Sequence, residues 1–226
     1  MPAPISVVIP TLNAATELPD SLAALMEGLS EGLIREVVIS DGGSQDATLK
    51  LVDEVGAEVI CGAASRGGQL RRGCAAARGG WLLVLHADTV LAPGWASVVA
   101  DHIQKEQAEP AYFQLKFRVR GGRPALVAGW ANLRARLFGL PYGDQGFLVS
   151  RAAYLAAGEY PDQPLMEDVA LVRRLRPLKS LPVIALTSAA RYQRDGWLRR
   201  GVRNLWTLAR YFLGVDPQKL ARDYQK

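Results

Sequence analysis

The chain has 226 residues, enough for one large α/β domain, and its apolar content of 49% is ample for a buried core. This composition excludes an intrinsically disordered chain, and no apolar run approaches the roughly 18 residues that a membrane span needs. The two cysteines, Cys61 and Cys74, have no metal-ligand spacing, and the first ten residues lack the features of a secretory signal. We therefore expect a reduced, cytoplasmic protein.

The positive charge is concentrated in the last part of the chain. The net charge is +5, but residues 191–226 carry nine basic and three acidic side chains, a balance of +6. The first 190 residues carry 18 basic and 19 acidic side chains, a balance of −1. We expect residues 191–226 to meet any anionic surface that the protein contacts.

The predicted elements alternate between strands and helices in the first 90 residues. Short apolar runs predict strands at 5–10, 36–40, 57–61 and 81–86, and helical periodicity predicts helices at 18–29, 48–55 and 69–78. The pattern then changes to strands at 113–119 and 146–150 around a helix at 124–138. We therefore predict a single α/β domain with a Rossmann-like, mostly parallel central sheet, flanked by helices and completed by a mixed second half.

Polar residues follow three of the predicted strands. The first strand runs into Thr11 and Asn13, the second into Asp41, and the fourth into His86 and Asp88. Because the carboxyl ends of parallel strands open into one crevice, we expect these side chains to share a site. The alternative is that Asn13 caps a helix and Asp41 only makes a turn, but this does not explain acids at two matching strand ends.

Three further features indicate the chemistry of such a crevice. Asp88 suits a hard divalent cation, Mg²⁺ or Mn²⁺, which one or two carboxylates hold while the phosphates of a ligand complete its shell. Arg66 precedes a predicted helix on the same side of the sheet, within reach of a phosphate or a base edge. Glu167 and Asp168 open another helix, where one acid suits the helix dipole and the other is a candidate general base. The spacing does not decide which acid has which role.

A set of ordered motifs then carries a resemblance to a known family. The stretches are VVIPTLN, VVISDGGSQDAT, an Arg-Gly-Gly-Gln segment, LLVLHADT, GDQGFLVSR and PLMEDVALVRRLR. Together they resemble the family 2 glycosyltransferases of the GT-A fold, and in particular a small bacterial subgroup associated with radical-SAM and selenium-related proteins. The resemblance covers nearly the whole chain and is specific as a set, whereas HADT alone would be a weak signal.

The resemblance implies an inverting, metal-dependent enzyme that moves a hexosyl-type sugar from a nucleotide diphosphate donor to a hydroxyl acceptor. It implies a catalytic domain over residues 1–190, with a nucleotide-binding half at 1–90 and an acceptor half at 91–190, followed by a basic helical segment at 191–226. Asp168 would be the catalytic base, and Asp88 would bind Mn²⁺ or Mg²⁺. The residues implied to bind the nucleotide sugar are Pro10, Thr11, Asn13, Asp41, Arg66, His86, Asp88 and Arg191. Those implied on the acceptor side are Gly143, Asp144, Gln145 and Glu167.

The sequence departs from the family pattern at three positions. Ala14 stands where the family often has Glu, and Gly42 stands for the second Asp of Asp-Asp-Gly-Ser. His86 stands for the first Asp of Asp-x-Asp, which leaves the metal with one carboxylate fewer.

Two alternatives belong to other classes of protein. A sugar-phosphate nucleotidyltransferase should have a Gly-rich loop after the first strand, and Pro10-Thr11-Leu12-Asn13 is not such a loop. A non-catalytic protein that binds nucleotide, nucleic acid or lipid would not need both Asp88 and Asp168. We accordingly expect no nucleic-acid partner.

The segment after Trp197 has helical spacing of apolar residues, and arginines lie off that stripe. The stripe consists of Leu198, Val202, Leu205, Trp206, Ala209, Phe212 and Leu213. One interpretation is that it packs on the catalytic domain, as amphipathic helices usually do. The other is an interfacial helix that brings the enzyme to the anionic inner face of the membrane, where a lipid-linked acceptor would fit.

Overall fold

The computed structural model describes residues 3–105 and 109–225, which fold around one eight-stranded sheet. The strands are β1 Ile5–Thr11, β2 Ile34–Asp41, β3 Glu58–Cys61, β4 Trp81–Val84, β5 Val90–Leu91, β6 Ala111–Phe117, β7 Phe147–Ser150 and β8 Lys179–Thr187. The helices of the described residues are α1 Leu18–Ser30, α2 Thr48–Glu54, α3 Arg66–Ala76, α4 Trp95–Ile103, α5 Gly122–Phe138, α6 Arg151–Ala156, α7 Glu167–Val172, α8 Ala190–Asp195, α9 Trp197–Phe212 and α10 Pro217–Gln225, with one 3₁₀ turn at Gly143–Gln145.

The sheet has the strand order β3-β2-β1-β4-β7-β6-β8-β5. Pairing is parallel between β1, β2, β3 and β4 and between β6 and β8, and it is antiparallel where β7 joins the two halves and where β5 closes the edge. This confirms the predicted single α/β domain with a mostly parallel sheet, and both halves of the chain contribute to it.

The central strands are apolar because helices cover both of their faces. Val7 and Ile9 of β1 pack in a cluster with the fully buried Trp95 of α4, whereas Val8 packs on the opposite face with Cys74 of α3. A strand that is buried on both faces reads as a continuous apolar run, as β1 does. The register pairs Thr11 with Asp41, so the carboxyl ends of these strands lie side by side.

Two predicted boundaries near the crevice are wrong by a few residues. The fourth strand ends at Val84 because the chain turns directly afterwards, where the N–H of Thr89 donates to the carbonyl of His86 at 3.0 Å. The third helix begins at Arg66, since the side chain of Ser65 caps it by accepting from the N–H of Gly68 at 3.4 Å. Arg66 is therefore the first residue of α3 and does not precede the helix.

The C-terminal helices are present, but α9 does not turn its apolar stripe toward the rest of the protein. Helix α9 begins at Trp197, and it contacts α5, α8 and α10. The interpretation that its apolar stripe packs on the catalytic domain is wrong, because Leu198 and Val202 are exposed while Arg200 is buried. No helix of the described residues is long and apolar enough to cross a membrane.

Candidate active site

A cleft lies at the carboxyl end of β4, where the chain segments around His86, Gly143, Glu167 and Arg191 meet. It has a volume of about 130 Å³ and is partly open to solvent. Eight of the residues implied by the resemblance line it. They are Arg66, His86, Asp88, Gly143, Asp144, Glu167, Asp168 and Arg191.

Arg66 connects two of the segments that form the cleft. Its Nε lies 2.7 Å from Oε1 of Glu167, and its guanidinium also donates to Nε2 of His86. Burial lowers the pKa of His86 well below its ordinary value, and Arg66 and Arg191 lower it further, so the imidazole is neutral and accepts. Burial raises the pKa of Glu167, which Arg66 opposes by ion pairing. The carboxylate of Glu167 thus forms an ion pair that positions Arg66.

Asp168 follows Glu167 in the sequence and also lines the cleft. Its Oδ2 accepts from the N–H of Gly143 at 2.8 Å, and its Oδ1 accepts from the N–H of Val169 at 2.7 Å. Gly143 packs so tightly on His86 that a Cβ at position 143 would overlap the imidazole. The 3₁₀ turn, His86 and Asp168 therefore hold one another in position.

Asp88 and Asp144 fit the requirements of a hard divalent cation. Within the described residues the carboxylate of Asp88 accepts no hydrogen bond, and the buried Oδ1 of Asp144 has no hydrogen-bond partner. Burial raises the pKa of Asp144 to about 6, and the charges of Asp88 and Asp168 add to the shift while Arg134 opposes it. Three acids that repel one another in a partly desolvated cleft favour a cation there.

This donor set is small. In the described parts of the chain there is no group of three or more His, Cys, Asp or Glu side chains arranged to hold a metal ion. A site with one or two carboxylates is nevertheless typical of Mg²⁺, which takes its remaining ligands from water and from the phosphates of a substrate. The residues present therefore fit a metal that binds together with a phosphorylated ligand.

Arg191 is a further basic residue that lines the cleft. It lies near the start of α8, after Thr187 and Ser188, which also line the cleft. Arg191 is exposed and makes no ion pair within residues 3–105 and 109–225. Its guanidinium is consequently free to bind an anion.

The C-terminal helices supply cleft residues that the sequence analysis did not predict. Arg200, Asn204 and Tyr224 all line the cleft. The Tyr224 hydroxyl accepts from Arg200 at 3.0 Å and donates to Oδ1 of Asn204 at 2.7 Å. The available signal was Asp195, the one acid between Arg191 and Arg210, because it predicts ion pairs with the arginines around it. Nothing in the sequence pointed to Tyr224.

The other five implied residues do not line this cleft. Thr11 and Asp41 form a separate cluster in which Oδ1 of Asp41 accepts from the hydroxyls of Thr11 at 2.8 Å and Ser44 at 2.6 Å. Asn13 lies on the neighbouring loop and is exposed, and Pro10 is the β1 residue that precedes Thr11. Gln145 is fully buried and donates to the carbonyl of Phe113 at 3.2 Å.

Asp41 has no solvent exposure and organises the loop after β2. Besides the two hydroxyls, the N–H groups of Gly43 and Ser44 donate to its Oδ2, each at 2.7 Å. Burial acts to raise the pKa of Asp41, but the four hydrogen bonds outweigh it and lower the pKa below its ordinary value. This carboxylate therefore shapes the loop after β2, and the N–H of Asn13 from the neighbouring loop donates to the Ser44 hydroxyl of that loop at 2.8 Å.

We expect Asp41→Asn to lower the free energy of unfolding by about 1–3 kcal/mol at pH 7, because an amide NH₂ would face donors in a buried site. Asp41 has a lowered pKa in the folded state, so its contribution is full above the unfolded-state pKa near 4 and is lost as the pH falls further. Urea unfolding at pH 7 and pH 3 measures both effects. Asp53→Asn, at an exposed acid of α2, is the control and should change neither value. Equal stability of Asp41→Asn and wild type at pH 7 would contradict this role.

Comparisons with known proteins agree with this architecture. The profile of glycosyl transferase family 2 matches residues 6–134, and the chain therefore belongs to glycosyl transferase family 2. Those residues run from β1 into α5 and include Arg66, His86 and Asp88. A search among curated protein sequences finds no match.

Solved structures share the fold at low sequence identity. TarS of S. aureus is 14% identical with a TM-score of 0.63, over 91% of this chain and 39% of TarS. A TarS 1–349 structure in complex with UDP-GlcNAc is 15% identical with a TM-score of 0.61, over 82% of this chain and 58% of the other. Glucosyl-3-phosphoglycerate synthase of Mycobacterium tuberculosis, in complex with Mn²⁺ and UDP-glucose, is 20% identical with a TM-score of 0.57, over 81% and 71% of the two chains. The chain thus spans about two fifths of TarS, and these likenesses establish the GT-A-like fold.

Proposed function

We propose that this protein is an inverting, metal-dependent glycosyltransferase that moves a hexosyl group from a nucleotide diphosphate sugar to a hydroxyl acceptor. The observation that supports it most is that Asp88, Asp168 and Arg191, from three distant segments, line one cleft in a family 2 chain. Structures of the same fold with UDP-GlcNAc and with UDP-glucose support the donor class. The motif set supports membership of the radical-SAM and selenium-associated subgroup.

We divide the binding of the substrates between the two halves of the chain. Residues 1–90 would hold the nucleotide, residues 91–190 the acceptor, and residues 191–226 would close the cleft. The cleft volume of about 130 Å³ is smaller than the roughly 300–1,000 Å³ of sites that enclose a whole ligand. We therefore assign the diphosphate and sugar to the cleft, and the base and ribose to the adjacent loops that carry Thr11 and Asn13.

Asp88, with Asp144 beside it, would hold the divalent cation, Mn²⁺ or Mg²⁺. When bound, such a cation supplies Lewis-acid stabilisation of the negative charge on the leaving diphosphate. The structure of the synthase of the same fold with Mn²⁺ supports this choice of ion.

The residues of the chain account for the remaining parts of the transfer. The acceptor oxygen attacks the anomeric carbon from the face opposite the diphosphate, the bond to the diphosphate breaks, and Asp168 takes the hydroxyl proton. Glu167 is the weaker candidate for this role because it is 1% exposed and paired with Arg66. Arg191 would stabilise the diphosphate as its charge develops.

We also propose that the acceptor is lipid-linked and that the enzyme works on the cytoplasmic side, at the inner face of the membrane. The charge distribution supports this, with +6 in residues 191–226 against −1 in the remainder. A sugar-phosphate nucleotidyltransferase has less support, because β1 leads into Thr11-Leu12-Asn13 and not into a Gly-rich loop.

A thermal-shift panel of nucleotide diphosphate sugars, with and without Mn²⁺, tests the proposal. A ligand at 100 times its Kd stabilises the folded state by about 2.7 kcal/mol. For a chain of this length we expect that to raise Tm by roughly 5–10 °C. The cognate donor should give such a shift only with Mn²⁺, and Mn²⁺ alone and nucleoside monophosphates serve as controls. The absence of a shift with every donor in the presence of Mn²⁺ would refute the proposal.

A further inference from the structure

Helix α9 shows the reverse of the usual burial of an amphipathic helix. Leu198, Val202 and Trp206 are 69%, 66% and 61% exposed, whereas Arg200 and Thr207 are only 6% and 5% exposed. An amphipathic helix of a globular domain normally buries its apolar stripe. In α9 the apolar stripe faces away from the protein.

Ion pairs explain why the polar face of α9 points inward. Oδ2 of Asp195 lies 2.6 Å from Nη1 of Arg200 and 2.7 Å from Nη2 of Arg203. Arg200 also donates to the hydroxyl of Tyr224, and Asn204 donates to the hydroxyl of Tyr192 at 3.0 Å. These ion pairs and hydrogen bonds give most of the polar groups on the inward face of α9 a partner. The apolar stripe, on the other face of the helix, is therefore left facing outward.

Helix α5 lies beside α9 and also exposes large apolar side chains. It buries the small residues Ala128, Ala131 and Ala135 while exposing Trp130 and Leu137. Of the eighteen large apolar side chains that are exposed in the described residues, eleven lie on α5, on α9 or directly after α9. Such a concentration on two adjacent helices marks an interaction surface, whereas scattered exposed residues would need no explanation.

We call this surface the apolar platform and define it by Leu126, Trp130 and Leu137 of α5 and Val202, Leu205 and Trp206 of α9. A groove between the helices is lined by Trp130 and Leu137 of α5 and by Leu205 of α9, and it joins the two halves of the platform. It combines aliphatic side chains with two tryptophans, and tryptophan is enriched where proteins meet the headgroup region of a bilayer.

The charges around the platform indicate its partner. The sequences of α5 and α9 together contain seven arginines and no aspartate or glutamate. Arg123, Arg136 and Arg199 are exposed and form no ion pair within the described residues. A second copy of the chain docked here would bring arginines against arginines. An anionic lipid surface would instead complement both the apolar side chains and the arginines.

We propose that the apolar platform of α5 and α9 binds the surface of an anionic bilayer. Because the opposite face of α9 lines the cleft through Arg200 and Asn204, the bilayer would lie about one helix diameter, roughly 10 Å, from the cleft. The proposal rests on the proposed function in one respect, since it places the catalytic cleft beside the membrane that would carry a lipid-linked acceptor.

Sedimentation with vesicles tests this surface. Wild-type protein should sediment with vesicles of phosphatidylcholine and phosphatidylglycerol, and far less with phosphatidylcholine alone. The double variant Leu137→Glu and Trp206→Glu should lose at least about tenfold in partitioning. Met26→Glu with Val55→Glu is the matched control, because both residues are 57% exposed and lie on other parts of the surface. Arg199→Gln should weaken binding about fivefold, the effect of one charge near an anionic leaflet.

The outcomes separate this proposal from its rivals and from the proposed function. Equal binding to the two vesicle types, or equal loss in the platform and control variants, would overturn it. A wild-type dimer that the platform variant disrupts, without vesicle binding, would assign the surface to a second copy and overturn it as well. The Mn²⁺-dependent nucleotide shift is measured on the same proteins. Its absence in all of them, with vesicle binding intact, would refute only the proposed function.

Discussion

Asp168→Asn should lower the rate of sugar transfer by at least about 10²-fold, because an amide cannot accept the proton of the acceptor hydroxyl. The substitution preserves shape, and the Asn oxygen can still accept from the N–H of Gly143, which Asp168 does at 2.8 Å, while the hydrogen bond from the N–H of Val169 is lost. We therefore expect the Mn²⁺-dependent Tm shift with the donor to stay within 1–2 °C of wild type, about the effect of 0.5 kcal/mol. The rate is measured as nucleoside diphosphate released from the donor that the panel identifies.

Glu167→Gln is the comparison that decides between the two adjacent acids. It removes the ion pair of Glu167 with Arg66, so we expect a lower free energy of unfolding. The loss of transfer rate should be smaller than in Asp168→Asn. Transfer at near wild-type rate in Asp168→Asn would exclude Asp168 as the base. If Glu167→Gln, and not Asp168→Asn, lost sugar transfer while keeping the Mn²⁺-dependent Tm shift with the donor, Glu167 would be the general base.

Asp88→Asn should abolish the Mn²⁺-dependent stabilisation by the nucleotide and reduce transfer to background. The carboxylate of Asp88 has no hydrogen bond to replace within the described residues, so the variant should unfold at the wild-type temperature in the absence of ligand. Asp144→Asn tests the neighbouring acid and should weaken Mn²⁺ dependence less. Asp101→Asn, at an exposed acid on α4, is the control. A full Mn²⁺-dependent shift in Asp88→Asn would show that the metal binds elsewhere.

The cleft was largely predictable because its residues follow the rules of a parallel sheet. The apolar run at Trp81–Val84 is a central strand, and the polar residues after it, His86 and Asp88, lie at its carboxyl end in the cleft. The same rule predicted that Asp41 would join them. Its carboxylate instead accepts four hydrogen bonds, one from Thr11 of β1 and three from Gly43 and Ser44 in the loop after β2. Sequence position locates a side chain at a strand end and does not reveal its partners.

The elements of the second half were harder to predict because their local signals are weak. Strand β5 has only two residues, and β8 contains Pro182, which disfavours a strand in a sequence pattern although β8 pairs with β6 and β5. Helical periodicity showed an apolar stripe on α9 but could not show which side faces the protein. That side is decided by the ion pair of Asp195 with Arg200, which are 5 residues apart, and by the hydrogen bond from Arg200 to Tyr224, which are 24 residues apart along the chain.

A crystal structure of the protein with Mn²⁺ and the nucleoside diphosphate of its cognate donor would test the central claim most directly. We predict the metal at Asp88 and the diphosphate between the metal and Arg191. The terminal phosphate, from which the sugar leaves, should face Asp168. A diphosphate bound outside this cleft, or one without contact to either the Asp88-bound metal or Arg191, would contradict this prediction.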